Sequence, residues 1–329
     1  MALLVMDGLD AGDAFLKWPL TSGGSTSTTT RFNSGRSWLL NNTVYYLSRN
    51  ITPSATVFFG AAIRPSATEG NLLMTFLTDN AATLHLNIRL TAATTLTLYN
   101  NNTVLATYTH TTAFAGNWFY FEMGGTIADA GGTAIVRIDG VTVINFTGDT
   151  RNGGTSTNID TVRIQGDNSG GKYVDDVYVC DGTGSAPYNT FLGDVRVQTL
   201  SPTGAGSSTQ WTPDTGSNYA RVNELPYSAA NYVQSGTSGQ RDTYAMADVT
   251  ASAGSILAVQ NNVISKKTDA AVAAIKPALK SGATVYYGAA ANLSSNDAVY
   301  SDLRTTDPNT STAWTQAGVN AIESGVEVV

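Results

Sequence analysis

Asp7, Asp10 and Asp13 recur every third residue in a turn-like Asp-Gly-Leu-Asp-Ala-Gly-Asp segment. Carboxylates spaced this way could offer hard oxygen ligands to Ca²⁺, joined by Asp175 or Asp176 from a later strand. The spacing matches no EF-hand loop. Aspartates in such turns ordinarily accept from nearby amides, which is the preferred reading, and no metal or other cofactor is assigned. The loop Asp167-Asn168-Ser169-Gly170-Gly171 has the same two readings. His85 and His110 are the only histidines and Cys180 the only cysteine. A multi-histidine centre, a cysteine zinc site and a disulfide framework are therefore disfavoured. The histidines fall on separate expected strands, outside any recognisable Ser-His-Asp arrangement, so each reads as a surface or hydrogen-bonded structural group. Cys180 reads as a small buried apolar residue. Gly23-Gly24 and Gly153-Gly154 lack the lysine and the strand–helix context of a phosphate loop. Tyr45, Tyr46, Tyr99, Tyr108, Trp211 and Tyr219 could stack on sugar rings, although most aromatics in a β protein pack into a core or an interface. No catalytic, cofactor-binding or metal-binding residue is assigned.

The elements that would position these groups are strands. Of 329 residues only 13% are charged, with a net charge of −7. Thr is about one residue in seven, and Gly, Ser and Asn are abundant while Lys and Glu are scarce. Thr is stiff at χ1 and suits strands; Gly, Asn and Asp suit the corners between them. The acidic balance argues against a nucleic-acid partner. No apolar run approaches the roughly 18 residues of a membrane helix, so no membrane partner is expected. The start shows no basic, apolar leader, and synthesis in a cytoplasm without a signal peptide is expected. No repeat of 20–50 residues and no heptad pattern is visible.

About a dozen short apolar runs at 8–12-residue spacing precede residue 180, which argues for a sandwich or jelly roll. Leu84-His85-Leu86-Asn87-Ile88-Arg89-Leu90 alternates as a half-buried strand does. Asn100-Asn101-Asn102 and Asp139-Gly140 mark hairpins. The boundary is placed in 181–187, giving domains 1–190 and 191–329. Beyond it, strands are expected over 192–200, 243–249, 255–265, 270–279, 284–288 and 326–329. A helix is expected over 311–322, capped by Ser311 or Thr312. The fold class expected is all-β, with an N-terminal jelly roll and a smaller β-rich C-terminal domain carrying a short helix.

Four features in order then resemble a known family. They are the first strand at 3–6, Trp118-Phe119-Tyr120-Phe121-Glu122, the hairpin Val136-Arg137-Ile138-Asp139-Gly140-Val141, and the last strand Val174-Asp175-Asp176-Val177-Tyr178-Val179. Together they resemble the concanavalin A-like lectin/glucanase (laminin-G-like) jelly roll over residues 1–190. Hydrolases of that family carry a Glu-x-Asp-x-(x)-Glu strand. Here Glu122 has no acidic residue two positions on, so the resemblance implies a non-enzymatic member. Residues 181–197 and 211–219 resemble segments of tailed-bacteriophage structural proteins. That implies a virion protein, a tail-fibre or tail-tip component mediating assembly and host-surface attachment. Its expected partners are other virion proteins and further copies of itself, with a trimer as the expected state, and a host surface glycan. Head-surface decoration, or a carbohydrate-binding module with its own glycan site, are the alternatives.

Overall fold

The computed structural model describes residues 3–32, 35–67, 72–167, 170–250 and 254–329. It is all-β, and its chain divides into two compact units, Met1–Val197 and Gln198–Val329. Among the described residues no helix is long and apolar enough to cross a membrane.

The first unit is a jelly-roll sandwich of two antiparallel sheets. The eight-stranded sheet runs Val141–Gly148, Gly132–Ile138, Phe119–Thr126, Thr56–Pro65, Lys172–Asp181, Ser37–Leu40, Ser25–Ser27. Leu3–Asp7 also pairs with Lys172–Asp181, so the first and last strands are neighbours. The six-stranded sheet runs Tyr46–Ser54, Ile159–Gln165, Leu72–Thr78, Thr83–Ala92, Thr95–Asn100, Thr103–Thr109. Alternation decides what faces inward. Leu86, Ile88, Leu90, Leu96, Leu98, Val162 and Ile164 meet Phe59, Phe121, Met123, Val136 and Val177 in one buried cluster. Fully burying such a side chain contributes about 1.5–3 kcal/mol. Phe114 and Phe119 add an edge-to-face contact at 5.1 Å. The Asp139-Gly140 corner has both φ values positive, 48° and 79°, as a two-residue hairpin turn requires.

The last strand carries a bulge. Asp175 pairs with Ala62, but Tyr178 pairs with Gly60, so one extra residue is inserted, and Asp176 takes a φ of 52°. The bulge falls between the stretches that pair with Ser37–Leu40 and with Leu3–Asp7. Gly60 has no space for a side chain: a Cβ there would lie 2.1 Å from the Tyr178 ring. Gly60→Ala is expected to cost about 1–3 kcal/mol by overpacking. Urea unfolding of the variant measures it, and an unchanged midpoint would contradict the packing described.

The second unit, smaller, has a six-stranded sheet in the order Pro202–Thr209, Arg241–Met246, Glu323–Val328, Ala274–Ser281, Thr284–Tyr287, with Ala291–Asn292 also on Ala274–Ser281. Val259–Ser265 and Ala298–Arg304 form a separate pair. Asn261 joins the two, its amide donating to the carbonyls of Ala278 and Gly325 at 2.9 and 3.0 Å. Leu279, Trp314, Val319 and Ile322 form its apolar core.

Two expectations are corrected. The strand over 192–200 is irregular chain, because its amides bond to side chains of the eight-stranded sheet: Leu192 N to the Tyr178 hydroxyl, Gly193 N to Glu122, Val197 N to Asp176. The helix over 311–322 shrinks to Gln316–Asn320, capped by Thr315. Residues 312 and 314 are held in bridges to Asp307 and Ile256 and cannot coil. A four-residue helix, Ala14–Lys17, had no expectation.

Candidate functional site

The pleat that sends Leu86, Ile88 and Leu90 inward sends Asn87 and Arg89 to the opposite face of the six-stranded sheet. Register aligns that face across strands. Ser48 pairs with Arg163, Arg163 with Thr75, Thr75 with Asn87, and Asn87 with Tyr99. Five strands thus contribute to one row. The Arg163 guanidinium lies over the Tyr46 ring at 4.3 Å, and Arg89 lies over Tyr99 at 4.3 Å. Arg89 donates from Nε to Asn87 Oδ1 at 2.8 Å and from Nη2 to the Asn101 carbonyl at 2.6 Å. These bonds fix its plane against the tyrosine. Burial lowers the pKa of both arginines, and the tyrosine beside each opposes that shift. Between them the Thr75 hydroxyl is buried without a hydrogen-bond partner among the described residues.

This face therefore offers two half-buried flat cations and two half-buried aromatic rings, whereas Ser48, Thr75 and Asn87 in the same row are buried. Tyr46 and Tyr99 stand four strands apart, roughly 19 Å at the usual interstrand spacing. Such a surface suits a long ligand with apolar ring faces and many acceptor oxygens, negatively charged ones included. Of the six aromatics considered from sequence, only Tyr46 and Tyr99 meet here. Tyr45 lies against Gly23 and the core. Tyr108 packs beside His110. Trp211 and Tyr219 belong to the second unit, where Trp211 Nε1 donates to the Gln240 carbonyl. Sequence reasoning missed Arg89, Asn87, Arg163 and Thr75. The alternation over 84–90 was the available signal, followed only to its apolar side.

The other residues singled out serve elsewhere. Asp7 accepts from Lys17 Nζ, Leu9 N and Trp18 Nε1. Asp13 pairs with the same Lys17 at 3.3 Å, so the cation these two aspartates hold is an ammonium. Asp10 accepts from Arg36 N at 2.6 Å. Asp167 closes its loop by accepting from Gly171 N, while Asn168 and Ser169 lie outside the described residues. His85 is buried, one ring nitrogen beside Thr78 Oγ1 at 3.0 Å and the other accepting from Asn152 N at 2.9 Å; burial lowers its pKa. His110 Nδ1 accepts from Thr112 N. Cys180 is buried, and burial pushes its thiol up to about 12.

Glu122 lies on the eight-stranded sheet, on the side away from the core. Its carboxylate accepts from the Tyr178 hydroxyl and from Gly193 N, with Arg137 at 3.5 Å. Burial raises its pKa. Beside it Asp176 accepts from Val197 N at 2.7 Å and pairs with Arg31 at 3.2 Å, while Tyr120 donates to the Asp176 carbonyl. These acids tie down the chain from 192 to 197.

No family model matches the sequence, and no curated protein matches it. Solved structures are similar to about half of it. "Cellulose induced protein, Cip1" is 18% identical over 53% of this chain and 96% of that one, with a TM-score of 0.40. A protein with a galectin-like fold from Bacillus subtilis is 12% identical over 55% and 96%, with a TM-score of 0.38. The Emp46p carbohydrate recognition domain in its potassium-bound form is 12% identical over 55% and 97%, with a TM-score of 0.35. Fold likeness at this level does not transmit a site, because one sandwich architecture hosts many unrelated functions.

Proposed function

We propose that this chain is a non-enzymatic attachment protein whose N-terminal sandwich holds an oligosaccharide across the outer face of its six-stranded sheet. The observation that carries the reading is the row Arg163, Thr75, Asn87 and Tyr99, with Tyr46 beside Arg163 and Arg89 beside Tyr99. Two half-buried guanidiniums stand there with no ion-pair partner shown among the described residues, and a buried hydroxyl lies between them. Aromatic rings would take the apolar faces of the sugars, and the cations their ring and carboxylate oxygens. The rigid sheet pre-arranges these groups, so little ordering entropy opposes binding.

The proposed setting is a tailed-bacteriophage particle, as a tail-fibre or tail-tip component, with head-surface decoration as the alternative placement. It rests on the resemblance of residues 181–197 and 211–219, and mass spectrometry and imaging of purified particles test it. Other virion proteins and symmetric copies of the chain would be its neighbours there.

Glycan-array screening followed by calorimetry tests the binding face. Arg89→Ala and Arg163→Ala are each expected to weaken the best oligosaccharide about tenfold or more, since a charged hydrogen bond contributes about 1.5–3 kcal/mol. Tyr99→Ala should act similarly by removing both the ring and the support of Arg89. Undiminished binding in all three variants would move the site elsewhere.

A further inference from the structure

The two sheets of the sandwich end in very different ways on its two sides. On one side the six-stranded sheet closes with Tyr46–Ser54, which carries Arg49 and Pro53 and is partly covered by the Ser22–Tyr46 bridge. The eight-stranded sheet closes there with only the three-residue strand Ser25–Ser27. A charge, a proline, a covering segment and a short strand are the usual guards against edge-to-edge pairing.

Among the described residues the opposite side shows none of them. Its outermost strands are Thr103–Thr109 and Val141–Gly148, which lie against one another. Their sequences, TVLATYT and VTVINFTG, contain no charged residue and no proline. Val104 is 55% exposed and Val141 65% exposed, and Thr107, Thr109, Thr142, Asn145 and Thr147 also face solvent. Each outermost strand presents a row of main-chain N–H and C=O groups for pairing.

We propose that this open side is the contact between two copies of the chain, paired antiparallel edge to edge about a two-fold axis. The occupant is a second copy on two grounds. First, the chain carries a net charge of −7, so two copies repel each other broadly, and this strip brings no charged side chain into the contact or out of water. Second, the strand is complementary to itself. A two-fold at Ala106 sets Thr103 against Thr109 and Val104 against Tyr108, and Thr–Thr and β-branched–aromatic pairs of this kind stabilise antiparallel ladders. Isologous pairing closes after two copies, so it yields a dimer in place of an open fibre or the trimer expected from sequence. Val104 pairs with Tyr99, so the contact adjoins the proposed glycan face, and chain mass is the readout that separates the two readings.

Sedimentation of the full chain tests the pairing. At roughly 50 µM the protein is expected to run at twice its 34.5 kDa chain mass and to dissociate on dilution. The double variant Val104→Lys with Val141→Lys is expected to halve that mass while keeping the far-UV spectrum. Thr52→Lys, on the guarded side, should leave the mass unchanged. Hydrogen exchange supplies a readout without mutation: amides in 103–109 should be protected in the concentrated protein and lose protection on dilution. A wild-type chain of single mass at this concentration, a threefold mass, or a folded double variant that stays paired would overturn the proposal.

Discussion

Lys17→Met is expected to be among the most destabilising single substitutions in the N-terminal unit, at about 3–5 kcal/mol. The ammonium lies 3.1 Å from Asp7 and 3.3 Å from Asp13, with all three side chains nearly inaccessible. Its pKa is raised: burial opposes the charge, but the two carboxylates outweigh it. Removing the cation strands two buried anions in the same turn. They cannot both remain charged, so the variant should recover part of its loss as pH falls toward 4, where one takes up a proton. Asp13→Asn should cost less, because Lys17 keeps its contact with Asp7. Urea unfolding of both variants at pH 7 and pH 4.5 measures the order, and equal small losses would show that the trio contributes little.

The second large effect concerns the bulge. Burial, then the neighbouring Asp176 and Asp10, push Asp175 up to about 9, and burial also raises Asp176 and Glu122. An unfolded aspartate titrates near 3.9. Between these values the folded state holds more protons than the unfolded state, so stability falls as pH rises. One proton changes stability by at most about 1.4 kcal/mol per pH unit. From pH 7 to 9 the N-terminal unit should therefore lose on the order of 2 kcal/mol. His85 does not disturb this window: burial lowers its pKa, so its own contribution is lost only as pH falls below about 6.5. Asp175→Asn removes the buried charge and should flatten the profile, with a gain of about 1–3 kcal/mol at pH 9. Amide exchange at Val177 and Val179 localises the effect. A wild-type profile that is level across pH 7 to 9 would refute the placement of this proton.

Much of the fold was legible because the signals are local. Alternation over 84–90, the Asp139-Gly140 corner and the Asn-rich turn after residue 100 each depend on a few adjacent residues, and the structure forms the corresponding strands and hairpins. Leu192–Leu200 misled because its apolar alternation has no strand to pair with; its amides go to buried carboxylates more than ten residues away in sequence. Ser311 and Thr312 looked like caps because a cap signal is only a residue type, and the bridge at Asp307 decides otherwise. The candidate site was half legible. Tyr46 and Tyr99 drew notice as aromatics, whereas Arg89 and Arg163 are ordinary arginines until their rows are aligned.

The amino-acid sequence by itself determined an all-β chain, the positions of its tight corners and the alternation of polar and apolar side chains along each strand. These follow from backbone sterics and the pleat, which act over two to four residues. Only the tertiary structure decided which polar sides would lie in one row, which carboxylates would be buried, and which sheet edges would stay open. Those outcomes depend on register between segments such as Ser48 and Arg163, more than a hundred residues apart, and a shift of one residue would turn every side chain to the other face.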